Sequence, residues 1–148
     1  MFEIRAYRPS DKDAVMDLIE LNIPAYFAPA ERADLSRYLD DERELYYVVL
    51  FDGSPVACGG INFAENGTVG KISWDIVHPA HQGKSLGTRL LRYRIEKLKS
   101  RSNVRRITVR TSQQAYGFYQ KQGFVLKKVE KDYWAEGFDL YDMEYEGV

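Results

Sequence analysis

A strand-like run leads through a glycine-containing turn into a helical stretch near the middle of the chain. Residues 70–77, GKISWDIV, are rich in β-branched side chains, and residues 88–100 carry a helical pattern of leucine and charged side chains. The ten residues between them, HPAHQGKSLG, contain two glycines and one proline, which favour a tight turn. Because other strand-like runs precede and follow this unit, the chain is constrained to a sheet with helices packed on it.

The remaining hydrophobic patterns extend this unit to the element order β-α-α-β-β-β-α-β-α-β-β. Asp52-Gly53 and Asn66-Gly67 are turn signals between successive strand-like runs. The predicted strands are Phe2–Tyr7, Leu45–Phe51, Val56–Ala64, Gly70–Val77, Arg106–Arg110, Phe124–Val129 and Phe138–Tyr145. The predicted helices are Asp11–Leu21, Ala30–Asp41, Thr88–Ser100 and Ser112–Gln122. This order predicts a mixed sheet of the broad α/β class, formed by one domain over residues 1–148.

Composition and charge exclude several classes of protein. The formal net charge is −1, whereas a dedicated nucleic-acid-binding domain is usually clearly basic. A single cysteine, Cys58, cannot form an internal disulfide, and no apolar run approaches the roughly 18 residues of a membrane span. The first residues, MFEIRAYRPSD, lack the apolar core of a secretory signal. We therefore expect a soluble cytoplasmic protein with no nucleic-acid or membrane partner.

The near-neutral total hides a basic segment between residues 84 and 106. It contains nine Lys or Arg residues and one acid, Glu96, and so carries +8, which leaves −9 for the rest of the chain. For most of these side chains a solvated helix face is the simpler interpretation. The alternative is that they attract a partner with several negative charges near the start of the helix.

The turn contains Gly83-Lys84-Ser85, which is also the end of a nucleotide-binding P-loop. The full P-loop pattern, G-x-x-x-x-G-K-[ST], needs a glycine at position 78, where this chain has His78. The triphosphate interpretation is therefore rejected. Unpaired amides at the start of a helix nevertheless form a site for a phosphate or pyrophosphate, helped by the helix dipole. An ordinary tight turn explains the same spacing.

Two motifs in this part of the chain resemble those of the GNAT superfamily, the acyl-CoA-dependent N-acyltransferases. The first family motif is V-x-P-x-x-[RQ]-G-x-G-x-[GA]; this chain supplies Val77, Pro79, Gln82, Gly83 and Gly87, with Ser85 where the family usually has glycine. The second is N-x-x-A-x-x-[FL]-Y-x-x-x-G-F; this chain supplies Ala115, Phe118, Tyr119, Gly123 and Phe124, with Ser112 in place of asparagine. The order of elements also matches over nearly the whole chain.

The resemblance implies a GNAT acyl-CoA N-acyltransferase fold with acetyl-CoA, a form of coenzyme A, as the cofactor. The fourth and fifth strands would splay apart and hold the pantetheine arm, and the backbone around residues 82–88 would hold the pyrophosphate. The residues implied in cofactor binding are Ile76, Val77, Gln82, Gly83, Lys84, Ser85, Leu86, Gly87, Thr88, Ser112 and Phe118. The implied function is an N-acetyltransferase that moves an acetyl group from acetyl-CoA to a primary amine by direct attack in a ternary complex.

Three departures from the family pattern leave a second function open. Ser85 and Ser112 replace habitual residues of the two motifs, and Lys71 stands where many relatives have glutamate. The alternative is a non-catalytic acyl-CoA-binding sensor or interaction module with the same fold. Relatives often pair through their final strands, so the resemblance also leaves a homodimer open.

Transfer to an amine needs a base that takes the proton of the amine and an acid that protonates the leaving thiolate. The resemblance implies that Tyr119 is the acid; the alternative is a core aromatic residue. Because Lys71 occupies the usual position of the base, the base must lie elsewhere. Strand alternation places Asp75 on one face with Ser73 and Val77, and Asp75 is the candidate base. A structural carboxylate is the alternative.

The other chemically suggestive residues carry weaker hypotheses. Glu65 is a second candidate base, but it stands beside the Asn66-Gly67 turn. His78 and His81 have no third ligand at a metal-like spacing, so we expect no metal site. Cys58 and Trp74 are interpreted as core residues.

The first helices and the final strands line the acceptor pocket in the resembling fold. Acids beside aromatic side chains in both regions suit a cationic acceptor, such as a small amine or the amino group of a peptide. The candidates are Tyr26, Phe27, Glu31, Asp34, Asp132, Tyr133, Trp134, Glu136 and Asp139. Surface solubility and core packing explain the same residues equally well.

Overall fold

The computed structural model describes residues 1–147. The strands are β1 Phe2–Ala6, β2 Leu45–Phe51, β3 Ser54–Ala64, β4 Val69–Val77, β5 Arg106–Thr111, β6 Phe124–Ala135 and β7 Phe138–Tyr145. The helices are α1 Lys12–Glu20, α2 Glu31–Arg37, α3 Leu86–Lys99 and α4 Tyr116–Lys121. Their order along the chain is the predicted one.

All seven strands form one sheet in the order β1-β2-β3-β4-β5-β7-β6. The β4–β5 pair is parallel and its neighbours are antiparallel. A parallel pair needs a crossover connection, and α3 supplies it. The predicted mixed sheet is therefore confirmed, and its parallel step lies at the strand–turn–helix unit.

Helices cover both faces of the sheet because strand residues alternate between them. In β2, Tyr47 and Val49 pack in the core that contains α3 and α4. Tyr46, Val48 and Leu50 point the other way, into the core that contains α1 and α2. The apolar run of β2 thus belongs to a strand that is buried on both sides.

α3 presents an apolar stripe to the sheet and a basic surface to solvent. Its buried apolar residues are Leu86, Leu90, Leu91, Ile95 and Leu98. This spacing repeats every three to four residues, as expected for a helix with one buried face. Within residues 1–147, neither α3 nor any other helix is long and apolar enough to span a bilayer.

Two predicted boundaries after β5 are wrong. We predicted that β6 ends at Val129, but it continues to Ala135, because its pairing with β7 resumes after an irregular stretch. We predicted that the last helix begins at Ser112, but a turn precedes α4. Gly123 follows α4 with a φ of 104°, which is the expected glycine stop for a helix.

Candidate active site

The main cavity opens where β4 and β5 separate. The last paired residues of the two strands are Ile72 and Val109, whereas β4 runs on to Val77 and β5 to Thr111. A cavity of about 1030 Å³ lies at this divergence and is lined by both strands, the turn after β4 and residues of α3 and α4. The splayed strands implied by the family resemblance are therefore present.

The turn between β4 and α3 exposes a run of backbone amides to this cavity. Across residues 1–147, no hydrogen-bond partner is found for the N–H groups of residues 83–88. α3 begins at Leu86, so its first amides have no partner within the helix and its dipole adds positive potential. Gly83 has a φ of 81° and open space where a Cβ would stand. These unpaired donors fit a diphosphate.

Ser85 adopts the left-handed conformation, with φ 63° and ψ 17°. A side chain in this region costs roughly 1–2 kcal/mol, which explains why glycine suits the position. The amide of Ser85 is still free. The departure from the family motif therefore changes the stability of the loop and leaves its donor in place.

Gln82 ties the loop to the end of β4 and to the segment after α1. Its Nε2 atom lies 3.3 Å from Oδ1 of Asn22 and 3.4 Å from the carbonyl oxygen of Val77. Asn22 is itself buried, and its Nδ2 donates to the carbonyls of Leu18 and Val77 at 2.8 and 3.1 Å. The sequence prediction missed Asn22, because nothing in its local pattern indicates this distant contact.

α4 and the residue after it contact the start of α3. A Cβ on Gly87 would lie 3.3 Å from the ring of Phe118, so the glycine permits close contact between α3 and α4. Nε2 of Gln122 donates to Oγ1 of Thr88 at 3.1 Å. Ser112 is buried and lines the cavity before α4.

Several predicted cofactor residues have buried side chains. Ile76 and Leu86 are both almost fully buried, and each packs in one of the two cores. Their contribution to a ligand is limited to backbone atoms. Val77 ends β4 and is partly buried, whereas Lys84 is exposed within the turn and is not among the residues that line the cavity. Binding by all these residues remains a prediction.

A bulge in β4 changes which residues share a face. Trp74 has a φ of 51°, and the register with β3 shifts at this point. Ser73 and Trp74 consequently both point to the side of α1 and α2. Oγ of Ser73 donates to Oδ1 of Asn62 at 2.9 Å, and the Trp74 ring stacks on Phe27 with centroids 6.0 Å apart.

Asp75 therefore faces α3 and α4, opposite to Ser73. The prediction that Asp75 shares a face with Ser73 is wrong, because strict alternation does not continue through the bulge. The prediction that it shares a face with Val77 is confirmed, since Val77 packs in the core with α3. Trp74, interpreted as a core residue from sequence, is partly buried against the core on the side of α1 and α2, and it also lines the cavity.

The two candidate catalytic residues are bonded to each other. Oη of Tyr119 donates to Oδ2 of Asp75 at 2.5 Å. The other carboxylate oxygen, Oδ1, lies 2.6 Å from Nη2 of Arg94. Both Asp75 and Tyr119 line the cavity. Residues from β4, α3 and α4 thus form one buried unit, which we call the Arg94–Asp75–Tyr119 triad.

The environment keeps the hydroxyl of Tyr119 protonated at neutral pH. Burial raises the pKa of Tyr119 well above its ordinary value, and the negative charge of Asp75 raises it further. The pair is chemically able to accept one proton and donate another.

The remaining candidates lie outside this unit. Glu65 is exposed in the turn after β3, near Arg106, and is not among the residues that line the cavity. Cys58 is fully buried, and burial raises the pKa of its thiol to about 12. Nδ1 of His78 accepts a hydrogen bond from the amide of Ala80 at 3.0 Å. Within residues 1–147, no three His, Cys, Asp or Glu side chains are grouped as a metal site would require.

Only part of the predicted acceptor site lines the cavity. Of the nine candidates, Tyr26, Phe27, Glu31 and Trp134 line the cavity, whereas Asp34, Asp132, Tyr133, Glu136 and Asp139 do not. Asp132 and Asp139 accept hydrogen bonds within the β6–β7 hairpin. Glu31 accepts one from the amide of Ala28 at 2.8 Å, which ties it to the start of α2. Burial raises the pKa of the Glu31 carboxyl.

Comparison with known proteins identifies the class to which this cleft belongs. The chain matches the model of the acetyltransferase (GNAT) family over residues 15–124, and it belongs to that family. The family and fold predicted from the sequence are thus confirmed. Acetyl-CoA, the predicted cofactor, is the cofactor of this fold. No curated protein sequence matches the chain significantly.

Solved structures show the same fold at low sequence identity. An aminoglycoside 6'-N-acetyltransferase complexed with coenzyme A has 17% identity and a TM-score of 0.76, with 96% of this chain and 95% of that chain covered. The ribosomal-protein-S18-alanine N-acetyltransferase from Escherichia coli has 20% identity and a TM-score of 0.80, with coverages of 98% and 93%. A chimeric spermidine N-acetyltransferase from Vibrio cholerae and hSSAT has 18% identity and a TM-score of 0.75, with coverages of 97% and 94%. These identities show a shared fold alone.

Proposed function

We propose that this protein is an acetyl-CoA-dependent N-acetyltransferase that acts on a primary amine of a small molecule or peptide. One observation carries the proposal: a run of amides without partners in residues 1–147 and the hydrogen-bonded Asp75–Tyr119 pair line the same cavity. The first suits a diphosphate and the second suits acyl transfer to an amine. Membership of the family supports the same activity.

The amides of residues 83–88 would hold the pyrophosphate of the cofactor, and Gln82 would keep this loop in place through Asn22. The edge of β4 that faces β5 is unpaired beyond Ile72, and near Ile76 and Val77 this edge would bind the extended arm of the cofactor. Phe118 and Ser112 would form the wall beside it. When bound, acetyl-CoA supplies an acetyl group activated as a thioester.

Asp75 and Tyr119 would handle the protons. Asp75 accepts a proton from the attacking amine, and Tyr119 donates its hydroxyl proton to the leaving sulfur. The proton on Asp75 then passes to Tyr119 through their 2.5 Å hydrogen bond. Both residues return to their starting states, so one proton is taken from the amine and one is given to the thiol.

The aromatic acceptor end favours an amine with an apolar or cationic body. Phe27, Tyr38 and Trp74 form a connected wall, with Tyr38 and Trp74 centroids 6.1 Å apart. Glu31 adds a carboxyl group to this end, whereas Lys71 adds a cation. We therefore propose a cationic amine that contacts the aromatic wall.

Free-thiol release from acetyl-CoA with a panel of amines, amino acids and peptides tests the activity. We expect release with at least one amine, and a fall in kcat of about 100-fold in Tyr119→Phe, within the range of general acid catalysis. Tyr133→Phe is the matched control, because Tyr133 is exposed and outside the cavity. Unchanged turnover in Tyr119→Phe would contradict the assigned role.

The alternative function, a non-catalytic acyl-CoA sensor, has one observation in its favour. Both oxygens of Asp75 already have partners, Arg94 and Tyr119, as in a purely structural network. Calorimetry on the same protein separates the two functions. Binding of acetyl-CoA without thiol release from any amine would support the sensor, and absence of binding would contradict both.

A further inference from the structure

Arg94 differs from the other cations of α3. The helix carries a basic outer face, but the Arg94 side chain is fully buried. Its position completes a series of every fourth residue, Leu86, Leu90, Arg94 and Leu98, that points into the core. Placing a guanidinium in the middle of an apolar stripe costs several kcal/mol unless every donor is matched. The contacts of its guanidinium should therefore explain why it is buried.

Two nitrogens of the Arg94 guanidinium donate hydrogen bonds, and the third forms an ion pair with Asp75. Nε donates to the carbonyl of Leu90 at 3.2 Å, and Nη1 donates to the carbonyl of Gly60 at 2.9 Å. Nη2 lies 2.6 Å from Oδ1 of Asp75. Because the guanidinium is planar and rigid, these contacts fix its position and the position of the carboxylate together.

The surrounding backbone is shaped to admit this pair. A Cβ on Gly59 would overlap Oδ1 of Asp75 and lie 2.9 Å from Nη1 of Arg94. The bulge at Trp74, with its positive φ, is what turns Asp75 toward α3. A positive φ is rare for a bulky residue and costs free energy. Two separate backbone features thus serve one side-chain contact.

We propose that Arg94 is a positioning residue: it holds the carboxylate of Asp75 and thereby fixes the hydroxyl of Tyr119 in the cleft. This inference rests on the proposed acetyltransferase function. Arg94 itself lies in the core and touches neither substrate in this scheme. Its task is to keep the Asp75 carboxylate in one position, so that Oδ2 accepts from the hydroxyl of Tyr119.

The groups around Asp75 leave Arg94 as its source of positive charge. They come from four elements: Arg94 from α3, Tyr119 from α4, Cys58 from β3 and Tyr46 from β2. The cysteine and both tyrosines are neutral at pH 7, because burial raises their pKa values. Among these groups, Arg94 is therefore the one charged partner of the Asp75 carboxylate.

Kinetics of three variants test the inference, with the amine that gives the fastest thiol release. Arg94→Met removes the charge at similar volume, Arg94→Lys keeps it, and Arg92→Met is the control on the exposed face of the same helix. We expect Arg94→Met to lower kcat at least tenfold, with the KM for acetyl-CoA within twofold. Arg94→Lys should recover part of the rate, because it keeps the positive charge beside Asp75. Wild-type kcat in folded Arg94→Met would overturn the inference.

A second measurement needs no activity and no ligand. In protein labelled with ¹³Cζ-tyrosine, the Tyr119 signal is assigned by its loss in Tyr119→Phe. We expect this signal to shift in Arg94→Met and in Asp75→Asn but not in Arg92→Met. An unchanged signal in Arg94→Met would overturn the inference even if kcat falls. Absence of thiol release from the wild type would overturn the proposed function, whereas the tyrosine signal would still decide the role of Arg94.

Removing a buried charge can unfold the protein, so folding is checked by circular dichroism. If Arg94→Met is unfolded, Arg94→Met/Asp75→Asn removes both charges and avoids the unpaired ion. We expect this double variant to fold and to show the shifted Tyr119 signal with a low kcat. A double variant with the wild-type signal and rate would overturn the inference.

Discussion

The polar groups at the two ends of the cleft differ in whether the protein itself pairs them. At the loop end, the amides of residues 83–88 have no partner within residues 1–147. At the buried end, Arg94, Asp75 and Tyr119 are bonded to one another. Water can satisfy the exposed amides until a ligand replaces it, whereas buried groups must be paired by the protein itself.

The unfavourable free energy at the two ends of the cleft therefore has two different origins. The loop stores strain in its backbone, in the positive φ of Ser85, so that its donors point outward. In the triad, the unfavourable free energy comes from burying the charges of Arg94 and Asp75. It is offset only while both charges are present. We therefore expect single substitutions to be severe at the buried end and mild at the loop.

The largest effect should follow from breaking the buried ion pair. Asp75→Asn leaves the guanidinium of Arg94 buried without a counter-charge and should lower the free energy of unfolding by about 3–5 kcal/mol. Urea unfolding at pH 7 measures this. Asp40→Asn is the control: Asp40 is exposed and pairs with Lys12 at 2.7 Å, so its loss should cost less than about 1 kcal/mol. Equal losses in the two variants would remove the distinction between the pairs.

The space around the triad should be the next most sensitive feature. Gly59→Ala places a methyl group against Asp75 and Arg94 and should destabilise the protein by about 1–3 kcal/mol. Gly117→Ala is its counterpart, since a Cβ there meets no atom within 4 Å. In α4 that change should stabilise by up to about 1 kcal/mol. Thermal unfolding of both variants should therefore move the midpoint in opposite directions, and a shared direction would contradict the packing described here.

Alkaline pH should weaken the buried end through Tyr119. Because its pKa is raised in the folded state, its contribution to stability is complete below about pH 10 and is lost as the pH rises further. Between pH 10 and 11, the free energy of unfolding of Tyr119→Phe should therefore fall by about 1 kcal/mol less than that of the wild type. Tyr133→Phe should keep the wild-type slope, because that side chain is exposed. Identical slopes in all three proteins would argue against a buried, protonated Tyr119.

The smallest effect should come from relieving strain in the loop. Ser85→Gly should stabilise the protein by about 0.5–1 kcal/mol, because the left-handed conformation costs glycine nothing and part of the gain is lost to unfolded-state entropy. Gly83→Ala should destabilise by about 1 kcal/mol for the opposite reason. Calorimetry with acetyl-CoA should give the Ser85→Gly variant an affinity within twofold of the wild type. A large loss of affinity would show that the serine side chain itself binds.

Local patterns were sufficient for most of the architecture. β2 and β7 have the predicted bounds, because alternating and β-branched residues report a strand directly. The turn before α3 was recognised from Gly83 and Gly87 and from its place after a strand. The end of β6 was not, since pairing across a bulge depends on the partner strand.

Local patterns predicted only part of the candidate site. Tyr119 and Asp75 were found singly, one from a motif and one as an acid in the middle of a strand. Their bond to each other and to Arg94 joins positions up to 44 residues apart, and no local pattern reports it. One signal was available: Arg94 stands in the apolar stripe of α3, where a cation without a buried partner would be unfavourable.

The sequence by itself determined the element order, the glycine-containing turn before α3 and the family, because these follow from hydrophobic period, glycine placement and short motifs. Only the tertiary structure decided which way Asp75 points, since a one-residue bulge at Trp74 reverses the alternation. It likewise decided that Arg94 is buried and that the partly buried Trp74 also lines the cavity. Both outcomes depend on what packs against each side chain, and that is set by parts of the chain far away in sequence.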